Sequence, residues 1–380
     1  MIYATIPALL AGAYYLLALV AASRRMGAKR RLPKDCPPVS ILKPVCGRDP
    51  GFYEAIRSHA SQDYPEFEIL FGICEPDDPA IEDIERLIAE FPERAIRLVH
   101  VRRKSMNRKA GTLAELAEQA RFGVLLVNDS DIIVEPDYLR NVVSPLEDPK
   151  VGLVTCLYRA RSESWASRME AIGIATEFMP GVLVARLLGM AGFALGSTMV
   201  FRAEPLRRIG GFGAIEDYLA DDYQLGHRIS ELGYHVVLAE AVVETDLGAE
   251  RWEQVWRHQL RWQRTIRVSR AAGYYGYAIT QATVWSLVAL AAGAWPVALA
   301  TLAVRIAAGV LCGAFVLGDR GILRQWPLIP VRDFMGFATW FAGLFGSTVE
   351  WRGQQLELTS DGRIVLPGET LLPAPGQKTI

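Results

Sequence analysis

Cysteine is scarce in this 380-residue chain: Cys36, Cys46, Cys74, Cys156 and Cys312 make five, an odd count with no C-x-x-C spacing. That excludes a disulfide scaffold or a cysteine-rich zinc module and fits reduced cytoplasmic thiols. Net charge is also nearly missing, with 41 Lys plus Arg against 42 Asp plus Glu. A uniformly basic nucleic-acid binder is therefore disfavoured, and no nucleic acid is expected as a partner. The chain has no G-x-G-x-x-G and no Walker lysine motif, which argues against a dinucleotide oxidoreductase or a P-loop ATPase.

Apolar residues are unevenly spread. Ile2 to Ala22 carries no charge and is long enough to cross a bilayer, which takes roughly 20 apolar residues. Arg24, Arg25, Lys29, Arg30 and Arg31 follow this run. A cleaved signal would have its basic residues in front, so residues 1–23 read as an anchor with the next domain on the cytoplasmic side. A second apolar zone, Ala278 to Leu317, is interrupted by Trp295-Pro296 and Arg305 and is expected to pass the membrane twice. Phe334 to Val349 is a third pass, a re-entrant helix or an interfacial one. Arg320, Arg324 and Arg332 fall between these segments, again suggesting a cytoplasmic loop. The expected C-terminal membrane block is 278–349, followed by a tail at 350–380.

Residues 36–250 alternate strand and helix patterns. Strands are expected at Val39 to Leu42, Phe67 to Ile73, "IRLVHV" and "GVLLVN". Helices are expected near Phe52 to Ser61, in "PAIEDIERLIAEF" and in "TLAELAEQA". This order predicts an α/β domain with a mostly parallel sheet covered by helices on both faces. Ligands of such sheets bind beyond the carboxyl ends of the strands. There the chain places Glu75-Pro76-Asp77-Asp78 and Asp129-Ser130-Asp131. If the strand continues through Asp129 and Asp131, both carboxylates share one face and repel unless a cation lies between them. Hard carboxylate oxygens suit Mg²⁺ or Mn²⁺; the alternative is a solvated strand end capping a turn.

Three further stretches carry chemistry. Lys109 in "NRKAGTLAEL" precedes a helix start, where a cation and backbone N–H groups could hold a phosphate; otherwise it is a surface lysine. Asp221 and Asp222 in "LADDYQLG" open a helix, either as stabilising N-terminal carboxylates or, facing a substrate hydroxyl, as a general base. Residues 251–271 bring Trp252 and Trp256 together with Arg257, Arg261, Arg264 and Arg267. This pattern suits an amphipathic helix on the inner leaflet, and its arginines could also clamp a diphosphate.

The order "NRKAG", "DSD", "ADDY" and "HQLRW" resembles the GT-A glycosyltransferases of the ceramide glucosyltransferase type. It is most similar to their bacterial hopanoid-biosynthesis branch. The likeness runs from Val39 to Arg267 and includes "VSILKPVCG", "DYPEFEILFG", "DDPA", "VGLVTCLYR" and "RWQRTIR". It implies a GT-A fold with N- and C-terminal transmembrane helices in a bacterial-type inner membrane. It also implies Mg²⁺ or Mn²⁺ on Asp129 and Asp131, UDP-sugar contacts from Glu75, Asp77, Lys109 and Asp129, and Asp222 as general base beside Asp221. Arg261 and Trp262 match the end of the Q/R-x-x-R-W motif, whose first position here is His258, a residue type that changes charge around neutral pH. Glu75 stands where many relatives have Asp, and Ala-Gly-Thr follows Lys109 where close relatives often have asparagine.

The expected reaction is inverting transfer from a UDP-sugar, first UDP-N-acetylglucosamine, to the hydroxyl of a membrane lipid, first a hopanoid polyol such as bacteriohopanetetrol. Ceramide with UDP-glucose is the alternative. The apolar stretch Ile172 to Phe201 is expected to divide between buried core and a lipid path. A processive polysaccharide synthase and a non-catalytic nucleotide-sugar-binding membrane protein rank lower.

Overall fold

The computed structural model describes residues 2–27 and 33–368. Lys29, Arg30 and Arg31, part of the orientation argument, lie outside the described residues, as does the end of the tail.

Eight strands form the main sheet: β1 (Val39–Val45), β2 (Phe67–Ile73), β3 (Ala95–His100), β4 (Val124–Val127), β5 (Ile132–Ile133), β6 (Val151–Arg161), β7 (Met199–Arg202) and β8 (His235–Asp246). Their order is β3-β2-β1-β4-β7-β6-β8-β5. The first four neighbours run parallel, as do β6 and β8, while β7 and β5 are antiparallel to their partners. Strands β2 and β4 are buried along their whole length, as expected of sheet strands covered on both faces. Alternate residues feed two cores. Ile41, Ile69 and Val200 pack with Ile56, Ile84 and Leu139 on one side; Leu42, Leu70 and Phe201 pack with Leu113, Leu116 and Leu225 on the other.

Among the described residues two helices, Tyr3–Met26 and Trp295–Val316, are long and apolar enough to cross a membrane. In the second apolar zone, where two passes were expected, one described helix reaches that length. Its earlier part is a ten-residue helix, Ala282–Ala291, about 15 Å long against a hydrocarbon core of about 30 Å. That helix stops where Gly293 takes φ 80° and the N–H groups of Gly293 and Ala294 return to the carbonyls of Leu290 and Ala289. This left-handed glycine cap cannot be seen in hydropathy. The third segment is a helix at Ile329–Gly343, about 22 Å long. Val349 lies beyond it in β9 (Thr348–Trp351), which pairs with β10 (Gln354–Leu358) and β11 (Ile364–Val365) in a small antiparallel sheet. The expected tail is thus partly folded, with Leu356 and Ile364 buried against Leu219.

Two arginines depart from expectation. Arg332 is buried within the helix Ile329–Gly343 and is not a loop charge. Arg305 is fully buried, with its Nη2 2.5 Å from Asp333 Oδ1, its Nε donating to Asp333 Oδ2 at 3.1 Å and its Nη1 to the Thr176 carbonyl at 2.9 Å. Removing one partner of a buried pair strands the other charge, so Asp333→Asn is expected to cost about 3–5 kcal/mol. Thermal unfolding in detergent checks this: a large fall in Tm is expected, and an unchanged Tm would show that the pair is dispensable.

Candidate functional site

Strand β4 stops at Val127, and Asp129, Ser130 and Asp131 occupy the turn before β5. The two aspartates therefore do not share a strand face as the sequence suggested. The cause is Asn128, whose buried amide donates to the Tyr138 hydroxyl at 2.9 Å and the Ser197 carbonyl at 2.8 Å, with its oxygen 3.0 Å from His59 Nε2. These bonds fix the turn so that both aspartates line one large cavity of about 1390 Å³.

The cavity floor is crowded with carboxylates. Asp131 accepts from the Thr245 hydroxyl, and burial, then Asp129 and Asp49, push its carboxyl up to about 6. Ser130 donates to Asp49 at 2.5 Å. Lys109 donates to Asp129 Oδ1 at 2.6 Å and lies 3.5 Å from Asp221 Oδ2. Burial alone would depress its ammonium, but Asp129 and Asp221 outweigh that and hold it above the usual lysine range. Lys43, inside β1 and fully buried, donates to the Asp129 carbonyl at 3.0 Å. Burial pulls it down to about 7 against the opposing pull of Asp131 and Asp129. A floor of hard oxygen donors whose mutual repulsion already raises Asp131 fits a divalent cation such as Mg²⁺ or Mn²⁺.

Asp221 and Asp222 begin the helix Asp221–Glu231, where the dipole favours negative charge. Asp222 Oδ2 accepts from the Gly196 N–H at 2.9 Å, and its Oδ1 from the Tyr223 N–H at 2.7 Å. Burial, then Asp221, raises its carboxyl to about 6; burial also raises Asp221. Gly196 marks where these groups converge. A Cβ there would lie 3.3 Å from Asp129 Oδ2, 3.4 Å from Asp222 Oδ2 and 3.5 Å from Lys109 Nζ. A bare backbone leaves that space free of a side chain.

The helix Trp252–Ser269 forms one wall. Three of its four arginines bind the chain's C-terminal portion: Arg257 pairs with Glu350 at 2.8 Å, Arg264 donates to the Phe345 carbonyl at 3.1 Å, and Arg267 to the Gly343 carbonyl at 2.7 Å. Arg261 lines the cavity and makes no ion pair among the described residues. Burial and the neighbouring Arg352 push it down to about 10, so the wall holds an under-compensated cation. Trp262 packs against Phe178 and His258, with ring centroids 5.7 and 4.7 Å away. His258 Nδ1 lies 2.8 Å from the buried Glu170. Glu170, Glu250 and His258 also bring three metal-ligating atoms within 4.8 Å of one another.

The remaining expected residues divide. Glu75 is exposed at the cavity rim, 2.5 Å from Arg108. Asp77 is exposed and does not line the cavity. Its neighbour Asp78 does, accepting from the N–H groups of Gly47 at 2.8 Å and Ala80 at 2.9 Å. Lys43, Asp49, Gly196, Thr245 and Arg352 were not singled out from sequence. Only Lys43 carried a local signal, a lone charge within the apolar "VSILKPV". Arg352, in the β9–β10 hairpin, donates to the Cys46 carbonyl at 2.8 Å and reaches Asp49 at 3.3 Å, so the C-terminal sheet borders the site.

Away from the carboxylates the cavity becomes apolar. Ile174, Phe178, Val182, Ala185, Leu188 and Phe193 line it, together with Tyr14 of the N-terminal helix and Ile279. Ile172 to Phe201 thus supplies both buried core and cavity wall.

The sequence profile of Glycosyl transferase family 21 matches residues 3–364. Ceramide glucosyltransferase 3 of Caenorhabditis elegans is 26% identical over 223 residues, 58% of this chain and 48% of that protein. Ceramide glucosyltransferase 1 of the same nematode is 26% identical over 200 residues, 52% and 43% respectively. The chain spans about half the length of these curated relatives. Among solved structures, the mannosyltransferase PcManGT from Pyrobaculum calidifontis, in complex with GDP-Man and Mn²⁺, superposes with a TM-score of 0.56 at 21% identity, covering 90% of this chain and 99% of that one. The expected GT-A fold, with apolar helices toward both ends, is borne out.

Proposed function

The chain belongs to glycosyl transferase family 21, and from that premise we propose that it transfers a sugar from a UDP-sugar to the hydroxyl of a membrane lipid, with inversion. The observation that carries this reading is the single cavity running from Asp129, Asp131 and Asp222 into an apolar arm beside the N-terminal helix. A soluble acceptor needs no such arm. By the motif resemblance the first choice is UDP-N-acetylglucosamine with a hopanoid polyol; likeness to ceramide glucosyltransferases favours UDP-glucose with ceramide as the second. In this reading the protein is a multi-pass inner-membrane protein with its catalytic domain in the cytoplasm.

Each residue has a role in this chemistry. Asp129 and Asp131 would hold Mg²⁺ or Mn²⁺, which when bound offsets charge on the nucleotide diphosphate. Arg261, on the helix Trp252–Ser269, binds that diphosphate, and Lys109 supplies a second cation. Glu75, at the rim, is the residue proposed to reach the uridine; Asp77 is assigned only to the neighbouring solvent edge. His258 and Trp262 shape the wall beside the sugar. Asp222 removes the acceptor proton as the lipid oxygen attacks the anomeric carbon.

The test is turnover by the detergent-purified full chain with a panel of UDP-sugars and either a hopanoid polyol or ceramide, following UDP release and glycolipid mass together. EDTA is expected to abolish transfer and added Mn²⁺ or Mg²⁺ to restore it. Undiminished transfer after EDTA would remove the metal assignment. UDP release with polymer and no glycolipid would favour a polysaccharide synthase, and no turnover with any pair would favour a non-catalytic binder.

A further inference from the structure

The apolar arm contains one charged island. Glu177 and Arg332 both line it, their side chains only 9% and 4% exposed, with Arg332 Nη1 3.2 Å from Glu177 Oε2. The Tyr277 hydroxyl donates to Glu177 Oε1, and Arg332 Nη2 donates to Gln259 Oε1 at 3.0 Å. Charges in such surroundings are expensive, and where they persist they mark substrate or ion pathways.

Three observations show that the chain makes room for this pair. Glu177 sits on the π-helical turn Ile174–Phe178, a distortion that recurs at functional sites. A Cβ on Gly173 would fall 2.2 Å from Arg332 Nε, and one on Gly336 would fall 2.8 Å from both Arg332 Nη1 and Glu177 Oε1. The pair's hydrogen-bonding capacity is also unfilled. Arg332 Nε and Nη1 are both buried without a hydrogen-bond acceptor, and a carboxylate offers about four lone-pair sites, whereas among the described residues Glu177 accepts a hydrogen bond only from Tyr277 and meets Arg332 Nη1 as an ion pair.

We propose that Glu177, backed by Arg332 and Tyr277, is a subsite for a second polar group on the acceptor lipid, a hydroxyl or amide N–H that donates to the Glu177 carboxylate while a different hydroxyl is glycosylated. The inference rests on the lipid-acceptor reading above and narrows it. A plain long-chain alcohol is a poor acceptor, and a lipid with a polyol or amide head is a good one. The subsite also joins the donor wall, since Gln259 Nε2 donates to Glu170 Oε1 at 2.9 Å and Glu170 in turn binds His258.

The experiment compares acceptors in pairs with the full chain: a hopanoid polyol against a monohydroxy hopanol, and a ceramide against its N-methyl amide analogue. Hydrogen bonds to charged groups imply a preference of about 10- to 100-fold in kcat/KM for the member with the extra donor in whichever pair is used. Glu177→Gln is expected to lose most of that preference while KM for the UDP-sugar stays within about twofold. Tyr277→Phe leaves the ion pair in place and is expected to shift the preference several-fold, which keeps the test open if Glu177→Gln does not fold. A preference retained in both variants, or an equal loss for both members of a pair, overturns the subsite and leaves the lipid-acceptor reading intact. Wild-type protein that glycosylates no lipid overturns both.

Discussion

Asp222→Asn is expected to lower kcat by about 10²- to 10⁴-fold, the range for removing a positioned general base. The amide keeps the shape, and its single oxygen can accept from either the Gly196 or the Tyr223 N–H, but not from both as the carboxylate does, so KM for the UDP-sugar should change less than kcat. The pH profile separates lost chemistry from lost structure. Burial and Asp221 raise the Asp222 carboxyl to about 6, and a base acts only when deprotonated. Activity should therefore climb as pH rises through about 6 and level off above it, and this acidic limb should vanish in Asp222→Asn. A variant with wild-type turnover, or with the limb intact, would remove the assignment. Asp221 is the less suitable base, because Lys109 lies 3.5 Å from its Oδ2.

Arg261→Ala is expected to lower kcat by about 10²- to 10³-fold, comparable to deleting one preorganised donor at a developing anion. The argument is the helix's division of labour. Arg257, Arg264 and Arg267 are occupied by the C-terminal portion of the chain, whereas Arg261 faces the cavity with no ion-pair partner among the described residues and is pushed down to about 10 by burial and Arg352. An under-compensated cation binds an anion without first breaking a pair. Arg261→Lys should recover only part of the loss, since an ammonium lacks the guanidinium's two-pronged geometry. Steady-state kinetics would settle it: equal rates in wild type and Arg261→Ala would mean that the leaving group is held elsewhere.

What sequence reasoning read correctly had a local cause. Strand β2 appears with the expected bounds because "FEILFGI" is buried along its length, and the helix at Asp221 starts where paired aspartates suit a helix N-terminus. What it missed came from afar. The turn that aims Asp129 and Asp131 depends on bonds from Asn128 to residues 69 positions away in both directions, and Arg352 meets Asp49 across 303 positions. Arg332 looked like a loop charge because only the folded bundle brings Glu177 to it. The unequal helices of the second apolar zone were not legible because a positive φ at Gly293, not a change in hydropathy, divides it. In the interfacial stretch, four arginines at helical spacing look equivalent, and only tertiary contacts set Arg261 apart.

The most direct test of the central claim is the anomeric configuration of the glycolipid formed by the purified protein from an α-linked UDP-sugar, read from the proton coupling of the new linkage by NMR. Direct displacement, with Asp222 deprotonating the lipid hydroxyl, predicts a β-glycoside. An α-linked product would contradict the account and require a different use of the carboxylates at Asp129, Asp131, Asp221 and Asp222.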